Sequence, residues 1–112
     1  MIDLQYLNIS SNHIVNANIL SNCKKLRRLD ISNNKVKSIK SFGSLIHLNH
    51  LNIANNLISD IWSLSTLKEL QYLNVNYNNI NLDNRKQKKC IEKIKDNNEE
   101  LQKFEYLNQK LN

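Results

Sequence analysis

Glycine occurs once in the 112 residues, at Gly43, and proline not at all. The chain therefore lacks the residues that punctuate tight hairpins and linkers, and a second domain hung on a flexible segment is not expected. A single glycine cannot build a phosphate-cradling loop, and the sequence holds no G-x-x-x-x-G-K, G-x-S-x-G or H-E-x-x-H. No enzymatic activity is expected. Long apolar runs are missing too: no window approaches the roughly eighteen residues of a membrane helix, and "MIDLQYLNIS" has no basic or apolar leader. An intracellular, cytoplasmic protein without membrane contact is expected, the nucleus staying open. Cysteine is scarce: Cys23 and Cys90 stand 67 residues apart, each without a second cysteine nearby, which matches no zinc or redox motif. Reduced thiols follow, and neither metal nor cofactor is expected.

What is present is a rhythm. "LQYLNISSNHI" from Leu4, "LRRLDISNNKV" from Leu26, "LNHLNIANNLI" from Leu48 and "LQYLNVNYNNI" from Leu70 start at intervals of 22 residues. The shared pattern, L-x-x-L-x-[IV]-x-x-N-x-[IV], fits neither a helix period nor a strand period for long. Positions 4 and 6 lie on one face of a short strand, so Leu29 and Ile31 point inward while Asp30 points outward. After the strand the chain must turn, reach a far wall and return within 22 residues. Each repeat is then one coil, its strand pairing in parallel with the next about 4.8 Å away, and no coil is stable alone.

Asn12, Asn34, Asn56 and Asn78 share one phase. Where a coil turns, backbone groups are buried without ladder partners, and an amide side chain offers both donors and an acceptor. These asparagines are expected to be scaffold. The return segments carry Ala17, Leu20, Cys23, then Ile39, Phe42, Leu45, then Ile61, Leu64, Leu67. Their spacing by three suits 3₁₀ turns on an outer wall, with Cys23 as a small buried hydrophobe.

The pattern resembles the leucine-rich repeat family over about residues 4–82. Its 22-residue step looks like the short intracellular subclass typified by a regulatory subunit of protein phosphatase 1. The resemblance implies an α/β fold: a right-handed solenoid with a short curved parallel sheet, a 3₁₀ or irregular convex side and a C-terminal helical cap. It also implies an asparagine ladder and a concave face that binds proteins. The expected organisation is four repeats over 1–82, starting at 4, 26, 48 and 70, and a helix-plus-strand cap over 83–112.

The cap begins where charged residues replace apolar ones after Ile80. Asp83 or Asn84 caps a helix, Cys90, Ile91 and Ile94 form its apolar stripe, and "DNN" at 96–98 ends it. "LQKFEYLN" then reads as a last incomplete strand, with Leu101, Phe104 and Leu107 spaced by three. At the other end only "MID" precedes the first repeat, so the strand of Leu7 and Ile9 presents an open edge, with Ile2, Leu4 and Ile19 at its flank. Tolerance of that edge, or weak self-association through it, is expected.

Outward strand positions should stack in columns. Position 3 reads Tyr6, Arg28, His50, Tyr72; position 5 reads Asn8, Asp30, Asn52, Asn74; position 8 reads Ser11, Asn33, Asn55, Tyr77. Tyrosines with an arginine and a histidine match the composition of protein-interaction hot spots. The candidate binding residues are thus Tyr6, Arg28, Asp30, His50, Asn52, Tyr72, Asn74 and Tyr77, with small Ser10, Ser32 and Ala54 leaving room for a partner. The expected function is non-catalytic capture of an unknown partner protein on the concave face.

The alternative is RNA or ribonucleoprotein contact. Net charge is +6, and residues 1–50 hold seven Lys/Arg against two acids. "KKLRR" at 24–28 and "RKQKK" at 85–89 supply candidate phosphate contacts at Lys24, Lys25, Arg27, Arg85, Lys86, Lys88 and Lys89. His13, His47 and His50 fall at different repeat phases and are not expected to converge on a metal.

Overall fold

A computed structural model describes residues 3–110; Ile2 lies outside them. Five strands of three residues each, β1 (Tyr6–Asn8), β2 (Arg28–Asp30), β3 (His50–Asn52), β4 (Tyr72–Asn74) and β5 (Lys103–Glu105), form one sheet in chain order. All neighbours are parallel. Residues 22 apart face each other through β4: Leu7 opposes Leu29, Leu29 opposes Leu51 and Leu51 opposes Leu73. The architecture is a leucine-rich-repeat solenoid with 3₁₀ turns Asn18–Asn22, Lys40–Ser44 and Trp62–Thr66 on the outer wall.

The strands stay short because position 8 breaks each of them. Ser11, Asn33, Asn55 and Tyr77 all sit in the left-handed region, with φ between 54° and 58°, turning the chain toward the outer wall. Asparagine tolerates that conformation at little cost, whereas a bulky tyrosine does not.

The turn exposes carbonyls that the ladder asparagines satisfy. Asn34 Nδ2 lies 3.0 to 3.1 Å from the carbonyls of Ile9, Ile31 and Ser32, and its Oδ1 accepts from Ile14 N. Asn56 and Asn78 repeat the arrangement, accepting from Val36 N and Ile58 N. Asn12 is exposed and bonds only the carbonyls of Ile9 and Ser10 in its own coil. A further rung comes from Gln109. Its Oε1 accepts from Asn78 N and Ile80 N, and its Nε2 donates to the carbonyls of Val75 and Tyr106.

Leu26, Leu29, Ile31, Val36, Ile39, Phe42 and Leu45 are fully or almost fully buried, as are their equivalents in the third coil. Each such side chain contributes about 1.5 to 3 kcal/mol by leaving water. Gly43 marks where outer walls pack closely: a Cβ there would lie 3.0 Å from the Ser63 carbonyl.

Helix α1 (Arg85–Asn97) closes the far end. Asn84 caps it by accepting from Gln87 N, and Cys90, Ile91 and Ile94 pack inward. Gln87 accepts from Ile61 N and donates to Asp60, while Asn98 accepts from Leu70 N and donates to the Leu67 carbonyl. Side chains of the helix and of its C-terminal cap residue thus supply bonds that another coil would otherwise make. The Cys90 thiol donates to the Ile61 carbonyl, and burial pushes its pKa up to about 12, which leaves it unreactive at neutral pH. In β5 the apolar spacing by three does not persist: Leu107 is exposed, and Tyr106 packs on the core beside Phe104. Strand geometry explains the change, since residues two apart share a face.

Candidate functional site

The concave face is built by the outward residues of five three-residue strands, and the parallel register sets its columns. Tyr6, Arg28, His50 and Tyr72 stand side by side, and β5 extends the row with Lys103. Within it the Arg28 guanidinium lies 5.6 Å from the Tyr6 ring centroid, and the His50 ring stacks on Tyr72 at 4.3 Å with 17° between planes. The row therefore forms two pairs, a cation–π contact of Arg28 with Tyr6 and an aromatic stack of His50 on Tyr72. Tyr6 is 65% exposed. Burial, then the neighbouring Arg28 charge, lowers the His50 pKa, so the ring is neutral at pH 7. Burial raises that of the Tyr72 phenol, which donates to Glu105.

The position 5 residues have a local task that the sequence pattern did not reveal. Asn8, Asp30, Asn52 and Asn74 each accept through Oδ1 from the backbone N–H two residues on, at 3.0 to 3.1 Å. These are Asx turns, which set up the bend leading to the left-handed residue. Asp30 also accepts from Ser32 Oγ at 2.6 Å. Only the remaining polar atoms of this row are left for a ligand.

Two clefts open on this face. One of about 390 Å³ is lined by Tyr6, Asn8, Arg28, Asp30 and His50. The other, about 520 Å³, runs over Ser32 and Ala54 between Asn33, Asn55, Tyr77 and Lys110. Ser32 and Ala54 are small and buried, so they form a floor; Tyr77, half exposed, forms a wall. Lys103, Glu105 and Lys110 were missed as site residues. The signal existed, because aligning "LQKFEYLNQK" with the earlier repeats continues positions 3, 5 and 9 into Lys103, Glu105 and Gln109.

The basic candidates do not converge. Lys25 pairs with Asp3 and Lys86 with Asp60, both at 2.9 Å. Lys24 lies on the outer-wall groove beside Trp62, Arg27 on a lateral cleft with Glu69 and Asp96, and Lys88 on a third cleft beside Tyr106. Arg85 and Lys89 ride on α1. The histidines also separate: His47 pairs with Glu69, His50 stacks on Tyr72, and His13 is exposed. No helix among the described residues is long and apolar enough to cross a membrane.

Parallel strands in register, a turn amide at one phase and a 3₁₀ outer wall define a leucine-rich-repeat solenoid. The chain belongs to the leucine-rich repeat family: the model described as leucine rich repeats (two copies) matches residues 2–45 and 24–66. No curated protein matches it. Among solved structures it is similar to an internalin of Listeria monocytogenes, with 28% identity and a TM-score of 0.74 over 93% of this chain and 28% of that one. A leucine-rich repeat protein of Leptospira interrogans matches at 30% identity and a TM-score of 0.69, over 90% of this chain and 25% of that one. A plant peptide hormone receptor, solved in a complex, matches at 26% identity and 0.60 over 69% of this chain and 13% of that one. The chain therefore spans about a quarter of the length of the two bacterial proteins. Domains of this family generally mediate protein–protein interaction.

Proposed function

We propose that this chain is a non-catalytic module that captures a partner protein on its concave sheet face. The carrying observation is the row from Tyr6 to Tyr72, whose Arg28–Tyr6 and His50–Tyr72 contacts hold the side chains in place without a partner. Pre-held aromatic and arginine side chains lose little rotamer freedom on binding, and such residues dominate interface energetics. The cleft walled by Tyr77 adds room for an inserted loop over Ser32 and Ala54. Included in the reading are the division into coils over 1–82 and a cap over 83–112, and membership of the 22-residue subclass, supported by the 22-residue step. Residence inside the cell is supported by two buried cysteines that remain unpaired. RNA contact is the weaker reading, because the basic side chains point into separate clefts.

The test is affinity purification with the wild-type chain and with Arg28→Ala combined with Tyr72→Ala. Partners bound through the concave face disappear from the variant while its circular dichroism stays that of a folded solenoid. Partner recovery equal to wild type would refute the concave-face assignment, and steep loss of binding between low and moderate salt would favour phosphate contacts instead.

A further inference from the structure

The cleft of about 520 Å³ over Ser32 and Ala54 lies between strands that are paired on both sides, so its walls are complete within this chain. Its free polar atoms are mostly of one kind. The Asx turn after β3 engages Asn52 Oδ1 with Ala54 N at 3.1 Å, which leaves the Asn52 amide NH₂ outside the turn. At position 8 the Asn55 amide donates to Asn33 Oδ1 at 2.7 Å, so the Asn33 NH₂ keeps both its hydrogens. Lys110 Nζ donates one hydrogen to the Asn56 carbonyl at 2.7 Å and holds two more. The NH₂ groups of Asn33 and Asn52 and the Tyr77 hydroxyl have no hydrogen-bond partner among the described residues. Acceptors are scarce. Ser32 Oγ is bonded to Asp30, and Asp30 lines the neighbouring cleft, which leaves Asn55 Oδ1 as the one side-chain amide oxygen of the walls without a bond. The lining holds one cation, Lys110, and no carboxylate.

We infer that this cleft receives one acidic side chain, Glu or Asp, carried on a loop of the partner protein. The inference rests on the concave face being the binding surface and adds the chemistry that the surface selects. The carboxylate takes its bonds from Lys110 Nζ and from the Asn33 and Asn52 amides, and the Tyr77 ring covers the apolar stem of the incoming side chain. The small floor of Ser32 and Ala54 leaves the depth for it. Bonds to an ionised acceptor are about twice as strong as neutral ones. A neutral or basic side chain would cover the same donors without satisfying them, which works against the wrong partner. The single lysine also matches a single charge. A phosphate carries close to two charges and is recognised by clustered arginines, and no arginine lines this cleft.

Selection of disulfide-closed random peptide loops on phage against the whole chain, followed by calorimetric titration of the synthetic loops, tests it. The selected loops are expected to share one Glu or Asp, and its replacement by Gln or Asn lowers affinity about tenfold or more. Lys110→Met and Asn33→Gly lower affinity for the acidic loop by a similar factor and leave affinity for the amide loop unchanged. That non-additivity marks a direct pair and would not arise from a shifted fold. Glycine suits the left-handed backbone of Asn33, and circular dichroism reports that both variants stay folded. Arg28→Ala with Tyr72→Ala separates this inference from the reading beneath it. Loops that lose binding in that double variant, yet show no acidic preference or bind Lys110→Met as well as wild type, overturn the acidic-side-chain assignment and leave the concave face standing. Loops indifferent to both sets of substitutions overturn the two together. A loop with phosphoserine in place of its acid that binds more tightly through Lys110 would assign the cleft to phosphate and also overturn the inference.

Discussion

The His50 imidazole stacks on the Tyr72 phenol ring across neighbouring strands, 4.3 Å between centroids. That contact buries a titratable ring beside Arg28, and the two causes together hold its pKa below the ordinary histidine value of 6.5. The unfolded chain therefore binds a proton more readily than the fold does. The sign follows: the stabilising contribution is complete above about pH 6.5 and is lost as pH falls through the folded value. Denaturant unfolding at pH 7.5 and pH 5 should show this loss, and His50→Gln should shrink it. An equal loss in the variant would show that His50 does not carry it.

The ladder predicts a gradient. Asn56 is fully buried, with Nδ2 near three carbonyls and Oδ1 on Val36 N. Asn56→Ala should lower stability by about 3 kcal/mol, because it strands buried backbone groups, whereas Asn12→Ala should cost below about 1 kcal/mol. Equal costs in urea titrations would mean that the amides contribute through propensity and not through their bonds.

Tyr77 stores strain. With φ of 58° it is the bulkiest of the position 8 residues, and a left-handed non-glycine conformation costs about 1 to 2 kcal/mol. Tyr77→Asn should raise the unfolding free energy by about 1 kcal/mol and weaken partner capture by removing the cleft wall. A variant no more stable than wild type would show that ring packing repays the strain.

Gln109 anchors the last strand. Gln109→Ala leaves Asn78 N and Ile80 N without their acceptor, so stability should fall by about 1 to 3 kcal/mol. Amide exchange should quicken first at Val75 and Tyr77, which donate to β5 and to the Asn108 carbonyl. Uniform quickening through β2 would mean that the cap is not a separate closing unit.

Much of the fold is legible in the sequence, and Leu29 shows why. In a solenoid the spatial neighbour lies one period away in the chain, so Leu29 meets Leu7 and Leu51, and the offset appears directly in the sequence. The candidate row at position 3 follows from the same arithmetic. The Asx bonds of Asp30 and Asn52 were not legible, since an asparagine at a strand end reads alike whether its oxygen serves a turn or a ligand. Gln109 falls at the ladder phase when its segment is aligned with the repeats, but that its amide does an asparagine's work with one more methylene is settled only by its bonds to Asn78 N and Ile80 N.

The period, the inward-facing set and the closing helix follow from residue order, because they depend only on which residues are apolar and how far apart they stand. Tertiary structure alone decided that β5 pairs with β4 although Lys103 follows Tyr72 by 31 residues, that Tyr77 accepts a left-handed turn, and that Tyr6 pairs with Arg28 while His50 pairs with Tyr72. Those outcomes depend on distances and directions between side chains of different coils, which a one-dimensional pattern constrains to a column but does not resolve within it.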